Sequence, residues 1–267
     1  MNIKFELFSI AVAASFLLVC LGLLAYGRRL GQRHLAKAGA KAMAGLDAVE
    51  GAVFALLGLL LAFAISGALQ RLNERRALVV QESIAVSTAY DQLDLVEPVS
   101  RDALKGKLKA YVAARIELYR EPIGFDLQHE RATFSPAQQA SIAALKAELW
   151  SGTVTACLAA TYASTCSVLI PTVSRVFETA QLRSGANEKH PPTIVFAMLY
   201  GFGLVGSLLA GFSMAATEKP SRVHLWAFAF ALSFALYVLT NAEFPRLGLI
   251  RVDSFDHFLA DALAKMR

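Results

Sequence analysis

Cysteine and histidine are scarce in this chain. Its 267 residues include 3 cysteines and 5 histidines. Cys20 lies in an apolar run, while Cys157 and Cys166 stand nine positions apart in what reads as a single helix. Nine helical residues separate two thiols by roughly 13 Å, beyond the reach of one disulfide, so no redox compartment follows from them. His34, His129, His190, His224 and His257 are scattered, with no pair at metal-ligand spacing and no Ser/His/Asp order. Neither a metal centre nor a cofactor is expected, and an enzyme has little in its favour.

Charge is also thin, at 18% of residues against 56% hydrophobic, with a mean hydropathy of +0.48. The apolar residues fall in blocks, the signature of an integral membrane protein. Net charge is +5, but Arg71 to Lys189 holds 14 Lys/Arg against 13 Asp/Glu. That balance leaves no concentrated basic face for nucleic acid.

The dominant feature is Gly51 to about Leu95. It opens with GAVFALLGLLLAFAISGAL, nineteen residues without a charge, and continues without Gly or Pro into QRLNERRALVVQESIAVSTAYDQLDL. One long helix is predicted, its first half able to cross a hydrocarbon core of about 30 Å at about 1.5 Å per residue. Its charged second half belongs in water. Gly51, Ala55, Gly58, Ala62, Ser66, Gln70 and Asn73 recur every three or four residues on one face. Two readings stand for this stripe: a close-packing helix seam, or the lining of a pore.

Three further spans are predicted. Leu7 to Tyr26 is twenty uncharged residues, longer than a signal-peptide core of about 7 to 15 and lacking a clean cleavage site. Thr193 to Thr217 and about Val223 to Ala242 supply the others. Between the first two spans, Arg28, Arg29, Arg33, Lys37 and Lys41 occur without an acid, which favours a cytoplasmic loop and a central domain on the periplasmic side of a bacterial inner membrane. The GFGLVG run matches a dinucleotide fingerprint only by accident, because no strand precedes it. Gly203, Ser207 and Gly211 read instead as a helix-packing face.

The central domain is predicted helical. Ser100 is placed as the N-cap of a helix whose Leu104, Leu108, Tyr111, Val112, Arg115 and Leu118 form one face. A second helix is expected to start at Ser135-Pro136 with a capping box. Trp150 to Ile170 is 21 uncharged residues, eight of them Ser, Thr or Tyr. It reads as a helix buried against other helices or subunits, with a fifth span as the alternative. Glu243, Pro245 and Arg246 form an interface cluster, with a Glu243 to Arg246 pair possible, and the tail can place Phe255, Phe258, Leu259 and Leu263 on one side of a short helix.

The fold class is therefore all-α: four transmembrane helices with a helical extramembrane domain inserted between spans two and three. The divisions fall at 1–70, 71–190, 191–245 and 246–267. The segments RRALVVQESIAVSTAYDQL, KHPPTIVFAMLYGFGLVG and EFPRLGLIRVD, with the two-plus-two arrangement of spans, resemble the bestrophin-like domain family of bacterial membrane proteins. Within QESIAVSTAY the family more often has an acidic-Ala-Asn-Ala-Ile-Gly-Thr-Ala run, so Ser83 and Ser87 are departures. The resemblance implies the architecture of bestrophins, pentameric anion channels whose second span lines the pore, although no neck of isoleucines and phenylalanines is evident.

A homo-oligomeric channel is the expected function, with a non-conducting membrane scaffold or sensor as the alternative. Its partners would be membrane lipid, further copies of itself, and inorganic ions. Gly58, Ala62, Ser66, Gln70 and Asn73 are the candidate pore lining. Arg71, Arg75 and Arg76 follow within two turns as a pore-mouth ring that would favour anions, or as lipid-phosphate contacts, or as members of solvated pairs such as Arg75 with Glu82 and Arg71 with Glu74.

Overall fold

The computed structural model describes residues 3–38, 46–120, 124–126, 131–160, 163–217, 221–244 and 255–266. In chain order these form α1 (Ile3–Ala38), α2 (Leu46–Gln92), α3 (Pro98–Arg120), β1 (Gly124–Asp126), β2 (Arg131–Thr133), α4 (Pro136–Leu158), α5 (Ala163–Glu188), α6 (Thr193–Ser213), α7 (Arg222–Glu243) and α8 (His257–Lys265). The chain is a helical membrane protein with one small addition, an antiparallel pairing of β1 with β2 that puts Phe125 opposite Ala132.

The predicted rod is one helix of 47 residues. It contributes to two compact units, one made of residues 2–70 and 191–250, the other chiefly of 71–190 and 251–267. Among the described residues four helical runs are long and apolar enough to cross a membrane: Glu6–Lys37, Ala48–Leu95, Ser164–Ala216 and Arg222–Glu243. In the third, the uncharged lipid-length part is α6.

In the first unit α1 packs on α6 at backbone contact. A Cβ on Gly27 would stand 2.1 Å from the Leu208 carbonyl oxygen, one on Gly211 2.2 Å from that of Leu24, and one on Gly31 2.5 Å from that of Phe212. Only glycine allows this approach, which brings Cα–H groups against carbonyl oxygens. Gly203 and Ser207 lie on the same buried face of α6, with the Ser207 hydroxyl donating to the Gly203 carbonyl at 2.8 Å. These small residues are covered within the chain and need no second subunit. Phe16, Cys20, Leu24, Leu57, Leu199, Leu232 and Leu236 fill the rest of this core.

The second unit has its own core. Leu104, Leu108, Tyr111, Val112, Arg115 and Leu118 of α3 are all buried. Leu104, Leu108, Tyr111 and Val112 pack among Val86, Leu93, Leu149, Leu169, Val176 and Leu259. The amphipathic tail seals this core through Leu259 and Ala262 of α8, while Phe258 stays partly exposed.

Four local expectations are corrected. α3 starts at Pro98 rather than after Ser100, because proline's fixed φ suits a first helical position and Arg101 N–H already reaches the Glu97 carbonyl at 2.9 Å. Ser135 precedes α4, but its side chain makes no capping hydrogen bond. The uncharged run from Trp150 to Ile170 is not one helix: α4 ends at Leu158 and α5 begins at Ala163, so the run offers neither a continuous buried rod nor a fifth span. Lack of charge reports solvation and says nothing about whether a helix is continuous. That break also overturns the separation inferred for Cys157 and Cys166, since the Cys166 Sγ lies 3.1 Å from the Cys157 carbonyl oxygen.

Candidate functional site

The outer face of α2 is the first element of interest. Gly51, Ala55, Gly58, Ala62, Ser66, Gln70 and Asn73 are all exposed. A Cβ on Gly51 or Gly58 would meet nothing within 4 Å. Among the described residues the stripe is therefore not a packing seam inside the chain, in contrast to Gly27 and Gly211. The helix turns its other face inward, through Phe54, Leu57, Leu61, Ile65 and Ala68. Beyond Asn73 the exposed positions Ala77, Gln81, Ile84 and Thr88 keep the same spacing. No charged side chain occurs among these eleven.

The arginines that follow the span differ in their surroundings. Arg75 is 3% exposed, and its guanidinium donates to the carbonyls of Ala186 at 3.0 Å and Lys189 at 2.8 Å. Its proposed partner Glu82 is engaged elsewhere, which corrects the Arg75 to Glu82 pairing. Arg76 is half-buried, its guanidinium carbon 5.2 Å from the centre of the Phe255 ring. Arg71 is partly exposed, while Glu74 pairs with Lys189 at 3.3 Å. Glu243 is buried at the end of α7. Pro245 and Arg246 lie outside the described residues.

A buried ion cluster, which sequence reasoning missed, ties the helices of the second unit together. Glu82 of α2 accepts from Arg115 Nε of α3 at 2.9 Å and from Arg183 Nη1 of α5 at 2.8 Å. Arg183 Nη2 donates at 2.6 Å to Asp256, next to α8. Arg115 also donates to the Ala180 carbonyl at 3.2 Å, and the Arg183 guanidinium lies 3.9 Å from the Tyr119 ring centre. Two guanidiniums face two carboxylates, so the cluster is neutral overall. Burial pushes the Glu82 carboxyl up, but the charges and hydrogen bonds of Arg115 and Arg183 outweigh it and hold the group below its usual value. Burial pushes the nearby Tyr111 hydroxyl up to about 12. The only advance signal was Arg115, a charge placed on the apolar face of a predicted helix.

A cavity of about 430 Å³ opens beside this cluster, walled in part by Tyr119, Arg183, Asp256 and His257. In the first unit another of about 410 Å³ has an apolar floor of Leu21, Leu24 and Leu225, with Arg28, Arg29 and Arg222 around it. Among the described residues no group of three His, Cys, Asp or Glu side chains could hold a metal ion.

No family model and no curated protein matches the chain. Solved structures do. A crystal structure of a bacterial bestrophin homologue from Klebsiella pneumoniae, carrying a point mutation, superposes with a TM-score of 0.68 over 95% of this chain and 98% of that one, at 13% identity. A second point mutant described in the same words gives 0.65 over 95% and 98%, at 12% identity. A crystal structure described as a membrane protein gives 0.65 over the same shares, at 14% identity. Likeness at this level of identity speaks for the fold, and function has to be argued from the site. With four helices of membrane-crossing length arranged in this way, the chain is a multi-pass membrane protein of the bestrophin-homologue fold.

Proposed function

We propose that this protein is one subunit of a homo-oligomeric ion channel whose lumen is lined by the exposed face of α2. The observation that carries the reading is the stripe itself: Gly51, Ala55, Gly58, Ala62, Ser66 and Gln70 are small or polar, lie on a helix of membrane-crossing length, and are left exposed by the described residues of their own chain. Lipid favours large apolar side chains on such a face, whereas a narrow aqueous path between copies favours small and polar ones. A pentamer is the assembly by analogy with bestrophins.

Selectivity is weak in this reading, because no formal charge lines the path from Gly51 to Asn73. Arg71 is the nearest arginine left partly exposed, and it tilts the preference toward anions. Arg75 is committed to backbone carbonyls and plays no part in the lumen. The cavity walled by Arg28, Arg29 and Arg222 over leucines suits a lipid headgroup, consistent with a place in the bacterial inner membrane. The acid-free loop after α1 favours a cytoplasmic position for Arg28 and Arg29, which labelling of a Gln32→Cys variant from either side decides.

Purified protein reconstituted in liposomes should pass small inorganic ions, and a Ser66→Cys variant should lose that flux when a charged thiol reagent is added. Intact oligomers that pass no ions would leave the stripe as a seam of a non-conducting scaffold.

A further inference from the structure

Cys157 closes α4 and Cys166 opens α5, on either side of the break between the two helices. The Cys166 thiol donates to the Cys157 carbonyl oxygen at 3.1 Å, and both side chains belong to the same core, with Ala156, Leu169 and Val173 around them. Cys20, the third cysteine, lies in the other unit.

We propose that Cys157 and Cys166 are a modification site: a dithiol that closes reversibly into an intrachain disulfide across the α4–α5 break. The oxidant is a disulfide-bearing small molecule. Cys166 is partly exposed and Cys157 is buried, so the first attack belongs to Cys166. Its thiolate bonds to one sulfur of the oxidant. The oxidant's S–S bond breaks, and its other half leaves as a thiolate that takes up the proton Cys166 gave up. Cys157 then loses its proton and attacks the Cys166 sulfur, and the second half of the oxidant leaves as a thiol. Two protein thiols are oxidised and one external disulfide is reduced to two thiols.

The order of attack agrees with the environment of the buried partner. Burial, together with a hydrogen bond to the Cys166 thiol, pushes the Cys157 thiol up to about 11, so it is a poor first nucleophile and serves as the resolving thiol. Closure would tie the end of α4 to the start of α5.

The test uses the full-length protein in detergent, incubated with oxidised glutathione, then denatured and alkylated. The intact chain should lose about 2 Da, two of its three thiols should resist alkylation, and digestion should yield one peptide pair linked through Cys157 and Cys166. Dithiothreitol should restore all three thiols. Cys20→Ser should leave the mass loss intact, whereas Cys157→Ser and Cys166→Ser should each abolish it. Three alkylable thiols after oxidation of the wild-type chain, a stable adduct of the oxidant on Cys166, or disulfides only between chains would each overturn the proposal. The wild-type measurement stands even where a variant fails to fold.

Discussion

Replacing Glu82 by Gln removes the one carboxylate that faces both Arg115 and Arg183. The three side chains are 1%, 5% and 2% exposed, so water cannot take over the lost pairing. Breaking a buried ion pair by deleting one partner costs about 3–5 kcal/mol, roughly a fifth or more of the total stability of an ordinary domain. Asp256 still faces Arg183, which places the expected loss near the lower end, at about 3 kcal/mol. Trp150 reports on the second unit by fluorescence once Trp226 of the other unit is changed to Phe. Glu74→Gln is the control, since Glu74 and Lys189 are both well exposed and such pairs contribute about 0–1 kcal/mol. The Glu82→Gln protein should unfold at markedly lower denaturant than the control. The dependence on pH has a fixed sign: a carboxyl whose folded pKa lies below its unfolded value of about 4.3 stabilises the fold above that value and loses its contribution as pH falls through the folded one. Acidification below about pH 4 should therefore destabilise the parent more than Glu82→Gln. Equal midpoints for Glu82→Gln and Glu74→Gln, or equal acid sensitivity of parent and variant, would refute the assignment of the cluster as the tie between these helices.

Other consequences are open to direct measurement. Gly211→Val should abolish recovery of folded protein in detergent, because its Cβ would fall 2.2 Å from the Leu24 carbonyl oxygen, whereas Gly58→Ala should fold normally, having nothing within 4 Å. Arg75→Ala should lower the yield of folded protein by leaving the Ala186 and Lys189 carbonyls without their donor. Arg71→Glu should leave the yield intact and shift the reversal potential toward cations, and an unchanged potential would separate Arg71 from the conduction path. Chemical cross-linking in native membranes should give a ladder that ends at five subunits, and a purely monomeric band would remove both the pentamer and the channel.

The spans were legible because lipid imposes a length and a polarity that a sequence displays directly: nineteen uncharged residues from Gly51 are enough. The α3 core face was equally legible from helical spacing, Arg115 included. What spacing cannot carry is the identity of distant partners. Glu82 meets Arg115 and Arg183 across 33 and 101 positions, and a local pairing with Arg75 about two turns away was the natural guess. The stripe on α2 was visible in the sequence, but whether neighbouring helices covered it depended on which face packed inward. At Trp150 to Ile170, composition reported an uncharged run and concealed the break within it.

The glycines between α1 and α6 bear on how such a membrane unit can move. Where backbone rests on backbone, as at Gly27 against Leu208 and Gly211 against Leu24, there is no side chain whose rotamer change could ease a slide or a roll at those points. The span of α2 is held differently. Phe54 leans its ring on the Gly206 position and stacks edge-on against Phe228, and Leu57 fills the space beside it. A helix seated on aromatic and aliphatic side chains can roll by a rotamer step. Spin labels at Ala62 should therefore broaden into two populations under conditions that leave labels at Leu18 of α1 in one. The same glycines that let α1 and α6 close up thus make them the frame against which any roll of the α2 span has to be measured.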